Sequence, residues 1–313
     1  MKKPPPPPKR AWNSRIFRWS AAVIILSGVG LAAVYLGWIR KPPAGENPAE
    51  ASPTAASSSE PVLAPSSGWI SIPGLGDGLT TYALTWEPEG ESRGTVILLQ
   101  GGWTLSVLDP NVQPAVQRLV REGYEILGLD YRGRPGHGPH FDSLEDIGTK
   151  EVDDVISAAV WLREHRRVSF LALVGFSHGG ALALRAAEEF PGRGLGLDAV
   201  LAYGPITDYE AWFEFCCGQK LGYCELLKRF TPEERWQGSA IHFAEKLKVP
   251  VFLAHGSRDR TVPLTQSQAW LAAHPDSSLF IFPGGHGDLF NPAALDLGLT
   301  WLNRVRNDGE RKD

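Results

Sequence analysis

The sequence has few cysteines, no phosphate-binding glycine motif and, in its first 45 residues, no acidic side chain. Three cysteines among 313 residues exclude a small disulfide-framework protein. They lie close together and lack a fourth ligand at suitable spacing, so no metal site is expected. Without a glycine-rich phosphate loop no nucleotide is implied, and we expect no cofactor. The composition, 43% hydrophobic and 21% charged, is that of a globular protein with a sizeable core.

Charge is unevenly distributed along the chain. Eight lysines and arginines lie in residues 1–45, which leaves 23 basic against 35 acidic residues in the remainder, a formal charge of −12. Because phosphate contacts need lysine and arginine, a body this acidic predicts no nucleic-acid partner.

An uncharged apolar segment runs from residue 19 to residue 39, and its 21 residues are enough to cross a bilayer core. Trp19 and Trp38 lie at its two ends, where an aromatic belt would place them. Six positive charges precede the segment and two follow it, which predicts a cytoplasmic N-terminus and an extracytoplasmic body. The alternative is a cleaved signal peptide, but the run is long for one and ends without a small-x-small site.

These observations divide the chain into four parts. Residues 1–18 form a basic, proline-rich cytoplasmic tail, and residues 19–39 a single-pass transmembrane anchor. Residues 40–67 are rich in Pro, Ala, Ser and Glu, which predicts a disordered linker. Residues 68–313 carry the pattern of a folded domain.

Apolar runs and helical patterns alternate after Gly68. Most of the runs are continuously apolar, as in parallel strands that are buried on both faces. The sequence therefore predicts an α/β, doubly wound domain with a mostly parallel eight-stranded sheet flanked by helices and led by an antiparallel hairpin. The predicted strands are Trp69–Ile72, Thr80–Trp86, Thr95–Gln100, Glu125–Asp130, Phe170–Val174, Ala199–Tyr203, Val251–His255 and Leu279–Phe282. The predicted helices are Gln113–Glu122, Lys150–His165, His178–Phe190, Thr265–Ala273 and Pro292–Arg306.

The pattern Gly-x-Ser-x-Gly occurs twice, around Ser92 and around Ser177. A nucleophile elbow needs a buried strand before the serine and a helix after it. Ser92 lies in a polar loop, whereas Ser177 follows Phe-Leu-Ala-Leu-Val and precedes Gly-Gly-Ala-Leu-Ala-Leu. Ser177 is therefore the candidate nucleophile, with a plain helix N-cap as its alternative role.

An activated serine needs a base, and the base needs an orienting acid. Asp259 and His286 each follow the end of a predicted strand, in the chain order Ser, acid, His that α/β-hydrolases use. Asp259 as a simple turn cap, His286 as an exposed loop residue and Asp288 as a rival acid are the alternatives. The three residues together predict a catalytic triad.

The oxyanion that develops during attack needs hydrogen-bond donors already in place. One predicted donor is the backbone N–H of His178, at the start of a helix. The other is a backbone N–H of Gly101 or Gly102, since glycines let the chain approach the substrate. A plain glycine turn is the alternative.

Several segments resemble the catalytic domain of the prolyl oligopeptidase family of serine peptidases, within the α/β-hydrolases. The likeness spans about residues 95–305. It implies that Ser177, Asp259 and His286 act as nucleophile, acid and base. The segments that carry the resemblance are Asp130-Tyr-Arg-Gly-Arg-Pro-Gly-His-Gly138, Glu151-Val-Asp-Asp-Val, Gly175-Phe-Ser-His-Gly-Gly180, Tyr203-Gly-Pro-Ile-Thr-Asp208, His255-Gly-Ser-Arg-Asp-Arg-Thr-Val-Pro263 and Pro283-Gly-Gly-His-Gly287.

The sequence departs from the family in two ways. Family peptidases usually carry an N-terminal β-propeller that gates the site, whereas only an anchor and a tether are expected before residue 68. Some members place a Tyr hydroxyl in the oxyanion hole where Gln100 stands here. We therefore expect a membrane-anchored serine hydrolase that acts through an acyl-enzyme. The resemblance implies a peptidase of the prolyl oligopeptidase type without a propeller, with a short peptide or another small molecule as its substrate. A carboxylesterase or lipase-like enzyme and a non-catalytic binding protein are the alternatives.

The segment between the sixth strand and the next helix contains the cysteines and several aromatic residues. In an oxidising compartment, one disulfide from Cys216 or Cys217 to Cys224 is expected. Trp212 and Phe213, with Trp103 from the glycine loop, are candidates for a substrate pocket. The alternative is that these aromatic residues only pack the covering segment.

Overall fold

The computed structural model describes residues 63–102 and 105–310. The predicted cytoplasmic tail, the predicted transmembrane anchor and residues 40–62 of the predicted linker lie outside the described residues. Within the ranges 63–102 and 105–310, no helix combines the length and apolar character needed to cross a bilayer.

The described residues form an eight-stranded sheet with the spatial order β1-β2-β4-β3-β5-β6-β7-β8. Strand β2 runs antiparallel to both of its neighbours, and every later pairing is parallel. The predicted mostly parallel sheet with a leading antiparallel hairpin is therefore confirmed. The strands are β1 Ile70–Ile72, β2 Thr81–Trp86, β3 Thr95–Leu99, β4 Glu125–Asp130, β5 Leu171–Phe176, β6 Ala199–Tyr203, β7 Val251–Gly256 and β8 Ser278–Phe282.

Helices cover both faces of the sheet. Helices α1 and α9 close one apolar cluster, and α3, α4 and α8 close the other. This two-sided burial is why the central strands are apolar at every position. The helices are α1 Gln113–Arg121, α2 Pro139–Asp142, α3 Lys150–His165, α4 His178–Ala187, α5 Tyr209–Gly218, α6 Tyr223–Leu227, α7 Pro232–Gly238, α8 Thr265–Ala273 and α9 Pro292–Glu310.

Helices α5, α6 and α7 form a helical insertion between β6 and β7, which we define as residues 204–250. Side-chain caps mark the starts of α5 and α7: at the start of α5 the Asp208 carboxylate accepts the amide of Ala211 at 3.0 Å. Thr231 and Glu234 form a reciprocal capping box at the start of α7. A third apolar cluster joins the insertion to the domain, and its buried members include Trp212, Cys216, Leu227 and Val262.

The last described residues of the predicted linker, from Leu63 onward, are hydrogen-bonded to the sheet. The carbonyl of Leu63 accepts the indole N–H of Trp86 at 3.0 Å. The amide of Ser66 donates to the Thr85 carbonyl at 2.7 Å, and the Ser67 hydroxyl accepts the Thr85 amide at 3.0 Å. These hydrogen bonds with the end of β2 hold residues 63–67 in place.

Because the six strands β3 to β8 run parallel to one another, the loops after them leave from one edge of the sheet. Ligand sites in open α/β sheets form at this carboxyl edge. The loops that follow β3, β4, β5, β7 and β8 carry the residues described next.

Candidate active site

Ser177 lies in a sharp turn between β5 and α4 with φ 54° and ψ −118°, a conformation that side-chain-bearing residues rarely adopt. A methyl group at Gly175 would lie 2.1 Å from the carbonyl oxygen of Gly179, and one at Gly179 would lie 2.2 Å from that of Leu99. Both glycines of the motif are therefore required by packing. The turn projects Ser177 from the carboxyl edge of the sheet, as a nucleophile elbow does.

Ser177, His286 and Asp259 form a continuous hydrogen-bonded series. The Ser177 hydroxyl lies 2.9 Å from His286 Nε2, and His286 Nδ1 lies 2.7 Å from an oxygen of Asp259. A carboxylate only accepts hydrogen bonds, so Nδ1 carries the proton and Nε2 is left to accept from the serine. The imidazole is 22% exposed and the carboxylate is fully buried. This is the arrangement that serine hydrolases use to activate a hydroxyl.

The Asp259 carboxylate is fixed by the loop that carries it. Its second oxygen accepts the amides of Thr261 and Val262 at 2.9 and 2.8 Å. Beneath it, buried His255 lies near the Ser267 hydroxyl and the Val262 carbonyl. Burial is the main reason that the pKa of His255 is lowered, which favours its neutral form.

The structure separates the triad candidates from their rivals. The carboxylate of Asp288 accepts the amide of Gly285 at 2.7 Å and so caps its own turn. The Ser92 hydroxyl donates to the carbonyl of Gly94 at 2.8 Å in the loop between β2 and β3. Neither residue has the neighbours that nucleophilic catalysis requires.

The glycine loop after β3 lies against the nucleophile. A methyl group at Gly101 would lie 2.7 Å from the Phe176 carbonyl oxygen and 2.9 Å from Cβ of Ser177. Gly102 adopts a positive φ of 65°. The Gln100 side chain donates to Asp130 at 3.0 Å and to the Leu105 carbonyl at 3.1 Å, so it is anchored within the loop. His178, the other predicted donor, is the first residue of α4.

The predicted pocket residues have different surroundings. Trp103 lies outside the described residues. Trp212 is 1% exposed, and its indole N–H donates to the Thr261 carbonyl at 2.7 Å, which favours the packing alternative for this side chain. Phe213 is half-buried, and the guanidinium of Arg235 lies 4.2 Å from the centre of its ring.

The disulfide joins Cys217 to Cys224 and ties α5 to α6. Cys216 is a buried free thiol whose pKa is raised by burial to about 11, so it stays protonated. Among residues 63–102 and 105–310, no group of three or more His, Cys, Asp or Glu side chains is arranged to hold a metal ion.

Sequence reasoning missed the buried polar residues behind the site, Arg134, Glu151 and the His178 side chain. His178 Nε2 lies 2.9 Å from Glu151, and Nδ1 lies 2.6 Å from the Tyr209 hydroxyl. A signal existed for Glu151, because it lies four residues before Val155 and therefore on the apolar face of α3.

Comparisons with known proteins place this geometry in a family. The model of the prolyl oligopeptidase family matches residues 110–277, more than half of the chain. The acylamino-acid-releasing enzyme of Rattus norvegicus is 29% identical over 170 residues, which cover 50% of this chain and 22% of that enzyme. Esterase LipQ of Mycobacterium tuberculosis is 25% identical over 246 residues, which cover 68% of this chain and 53% of the esterase. The part of the rat enzyme that this chain matches is only about a fifth of that enzyme's length.

Solved structures with the same fold include peptidases and esterases. A puromycin-hydrolyzing peptidase of Mycobacterium tuberculosis superposes with a TM-score of 0.64 at 22% identity, over 76% of this chain and 39% of that one. An esterase of Pyrococcus furiosus superposes with a TM-score of 0.61 at 21% identity, over 76% of this chain and 92% of the esterase. The match of the family model, which covers more than half of the chain, identifies it as a member of the prolyl oligopeptidase family.

Proposed function

We propose that this chain hydrolyses acyl compounds through a covalent acyl-enzyme formed on Ser177. The observation that carries the proposal is the series Ser177, His286, Asp259, with 2.9 Å from Oγ to Nε2 and 2.7 Å from Nδ1 to the carboxylate. A non-catalytic binding protein has no need of a serine in a rarely populated conformation hydrogen-bonded to an oriented imidazole.

The geometry supports a two-step reaction. Ser177 Oγ attacks the substrate carbonyl while its proton passes to Nε2 of His286, and Asp259 stabilises the resulting imidazolium. The leaving group takes that proton from Nε2 as its bond to the carbonyl carbon breaks. Water then attacks the acyl-enzyme and gives a proton to the same nitrogen, which returns it to Ser177 as the acid product leaves.

We assign the oxyanion hole to backbone N–H groups on both sides of Ser177. His178 follows the nucleophile at the N-terminus of α4, where the helix dipole favours negative charge. Gly101 and Gly102 belong to the loop that lies against Ser177. Donors held in place before the reaction stabilise the tetrahedral intermediate without reorganisation.

Short peptides are the substrate class that we propose first. The family match and the acylamino-acid-releasing enzymes among its relatives support an amide substrate. Carboxylic esters are the second candidate, because esterase LipQ is among the relatives and because the chain covers 92% of an esterase of Pyrococcus furiosus with the same fold.

A panel of substrates tests this assignment. Both reactions use the same nucleophile, but an amine must be protonated by His286 as it leaves, whereas a nitrophenolate needs little help. We expect the purified full-length chain to hydrolyse short-chain nitrophenyl esters, and to cleave short or N-acylated peptides with higher kcat/KM. A preference for long acyl chains without any peptide turnover would favour the esterase alternative.

Two serine variants test the chemistry itself. Ser177→Ala should abolish hydrolysis of every substrate in the panel, and Ser92→Ala, its matched control in the other Gly-x-Ser-x-Gly motif, should leave it unchanged. Hydrolysis that survives in Ser177→Ala would contradict the assignment of Ser177 as the nucleophile.

We also propose that residues 19–39 anchor the chain in a membrane with the catalytic domain outside the cytoplasm. The support is the uncharged length of the segment, its terminal tryptophans and the excess of positive charge before it.

A further inference from the structure

Two buried side chains of opposite charge, Arg134 and Glu151, lie behind the glycine loop and the start of α4. Arg134 follows β4, and Glu151 belongs to the first turn of α3. Their side chains are 0% and 1% exposed, and the shortest distance between the guanidinium and the carboxylate is 3.7 Å. Removal of one member of such a buried ion pair leaves the other charge without compensation, which is strongly destabilising.

Arg134 holds the glycine loop by its carbonyl groups. Its guanidinium donates to the carbonyl of Gly102 and lies 3.5 Å from that of Gly101. The Tyr131 ring, 4.0 Å below the guanidinium, carries a hydroxyl that donates to the Gln100 carbonyl at 2.7 Å. Three consecutive carbonyls of the loop therefore face this pair of side chains.

The direction of these carbonyls sets the direction of the donors. In a trans peptide the C=O and the following N–H lie in one plane and point in opposite directions. The carbonyl of Gln100 shares its peptide with the N–H of Gly101, and the carbonyl of Gly101 with that of Gly102. Contacts to both carbonyls thus direct both N–H groups away from Tyr131 and Arg134.

Glu151 holds the other side of the site through His178. Its two oxygens lie 3.0 and 2.9 Å from Nε2, and the Tyr209 hydroxyl lies 2.6 Å from Nδ1. Burial raises the pKa of Tyr209 well above its ordinary value, so the hydroxyl stays protonated. An imidazole held from both ends fixes the residue whose N–H we assign to the oxyanion hole.

We infer that Arg134 and Glu151 are positioning residues that hold the two halves of the oxyanion hole at a fixed separation. Arg134 acts through the carbonyls of the glycine loop, and Glu151 acts through the His178 side chain. The ion pair joins the two halves. This inference rests on the proposed function, since the oxyanion hole has a role only if Ser177 forms a tetrahedral intermediate.

A neighbouring ion pair separates positioning from simple structural support. Arg132 and Asp154 join the same two segments, the loop after β4 and helix α3, with 2.7 and 2.8 Å hydrogen bonds. Their side chains are 5% and 1% exposed. In the structure this pair bonds neither the glycine loop nor His178, so it is a matched control for the loss of a buried ion pair.

The test compares Arg134→Met, Glu151→Gln and Tyr209→Phe with Arg132→Met and Asp154→Asn in the full-length chain. The readouts are kcat and KM for a short nitrophenyl ester and the inhibition constant of a trifluoromethyl ketone, whose tetrahedral adduct places an oxyanion in the hole. We expect kcat to fall about 10- to 100-fold for the Arg134 and Glu151 variants with KM little changed, since a displacement of about 1 Å can cost this much. The inhibition constant should rise by a similar factor.

A conservative variant and the control pair distinguish a positioning role from a purely structural one. Arg134→Lys, which can still donate to a carbonyl, should recover part of the lost kcat, and the Arg132 and Asp154 variants should keep kcat and the inhibition constant near wild-type values. An equal fall in kcat for the variants of both ion pairs would overturn the inference. So would a rise in KM without any fall in kcat. If Arg134→Met does not fold, the nearly isosteric variants Glu151→Gln and Tyr209→Phe provide the test, with kcat and the inhibition constant as readouts. Wild-type protein that shows no covalent labelling at Ser177 would contradict the proposed function instead.

Discussion

Asp259 shows how one residue fulfils two roles that sequence reasoning treated as alternatives. One carboxylate oxygen caps the loop by accepting the amides of Thr261 and Val262, and the other accepts Nδ1–H of His286. The loop cap gives the carboxylate a fixed direction, so its structural role supports the catalytic role that we propose for it.

Replacing Asp259 therefore tests the orientation of the imidazole. Asp259→Asn puts an amide opposite Nδ1 and favours the wrong tautomer of His286, so we expect kcat to fall by about four orders of magnitude. Asp288→Asn, which alters only the cap of its own turn, should change kcat less than about tenfold. Steady-state kinetics with a nitrophenyl ester measures both, and the reverse order would assign the acid to Asp288.

Glu188 is a buried acid outside the active site, at the end of α4. Neither carboxyl oxygen has a hydrogen-bond partner among the described residues, and the nearest cation is Arg185 at 3.5 Å. Burial is the main cause that raises the pKa of Glu188 to about 9 from an ordinary value of 4.5. Between these values the folded protein binds a proton that the unfolded chain releases, so stability falls as the pH rises.

We therefore expect Glu188→Gln to increase the free energy of unfolding at pH 8 relative to wild type. It should also remove a pH dependence of up to about 1.4 kcal/mol per pH unit between pH 5 and 8. Denaturant unfolding at several pH values gives this slope. Glu189→Gln, which removes the negative charge from the partner of Arg185 but keeps an acceptor oxygen, is the control and should shift stability by less than about 0.5 kcal/mol. An unchanged slope in Glu188→Gln would show that the buried acid is ionised.

At the level of secondary structure, the central strands are predictable because burial on both faces requires a continuous apolar run. Strands β4 and β6 and helices α3 and α8 have the predicted bounds. None of the three helices of the insertion was predicted, and α6 and α7, five and seven residues long, are too short to show a helical period. Their capping residues, Asp208 and Thr231, were the available signal.

The candidate site also contains residues that could be predicted from the sequence and residues that could not. Ser177, Asp259 and His286 each follow a strand in a recognisable order, so their proximity could be predicted from parallel topology alone. The partnership of Arg134, Glu151 and His178 could not, because it depends on which side chains face one another across two elements and a loop. Charge within an apolar helix face marks such residues but does not identify their partners.

The disulfide between Cys217 and Cys224 closes a short loop between α5 and α6. A cross-link of this length stabilises the folded state by about 2 kcal/mol through the entropy of the unfolded chain. We expect the Cys217→Ser/Cys224→Ser double variant to have a lower Tm, and a reductant to lower the Tm of wild type only. Differential scanning calorimetry with and without reductant measures this. An equal effect of reductant on both proteins would mean that the bond does not form in solution.

For the whole molecule, the membrane anchor is the prediction with the widest consequence. A reporter that is active only outside the cytoplasm, fused after residue 313, should be active, because the positive charges of the first 18 residues stay on the cytoplasmic side. Deletion of residues 1–40 should move the hydrolase from the membrane pellet to the supernatant after ultracentrifugation. A native N-terminus near residue 50 would identify residues 19–39 as a cleaved signal instead.

The central claim is that Ser177 forms the covalent intermediate, and mapping a covalent adduct tests it most directly. The full-length protein is labelled with a fluorophosphonate, digested with trypsin and sequenced by tandem mass spectrometry. Ser177 lies in the tryptic peptide 168–185, which also contains Ser169, so fragment ions must separate the two. The predicted result is one adduct per chain, on Ser177. An adduct on another residue, or a protein that hydrolyses esters while Ser177 stays unmodified, would contradict the account.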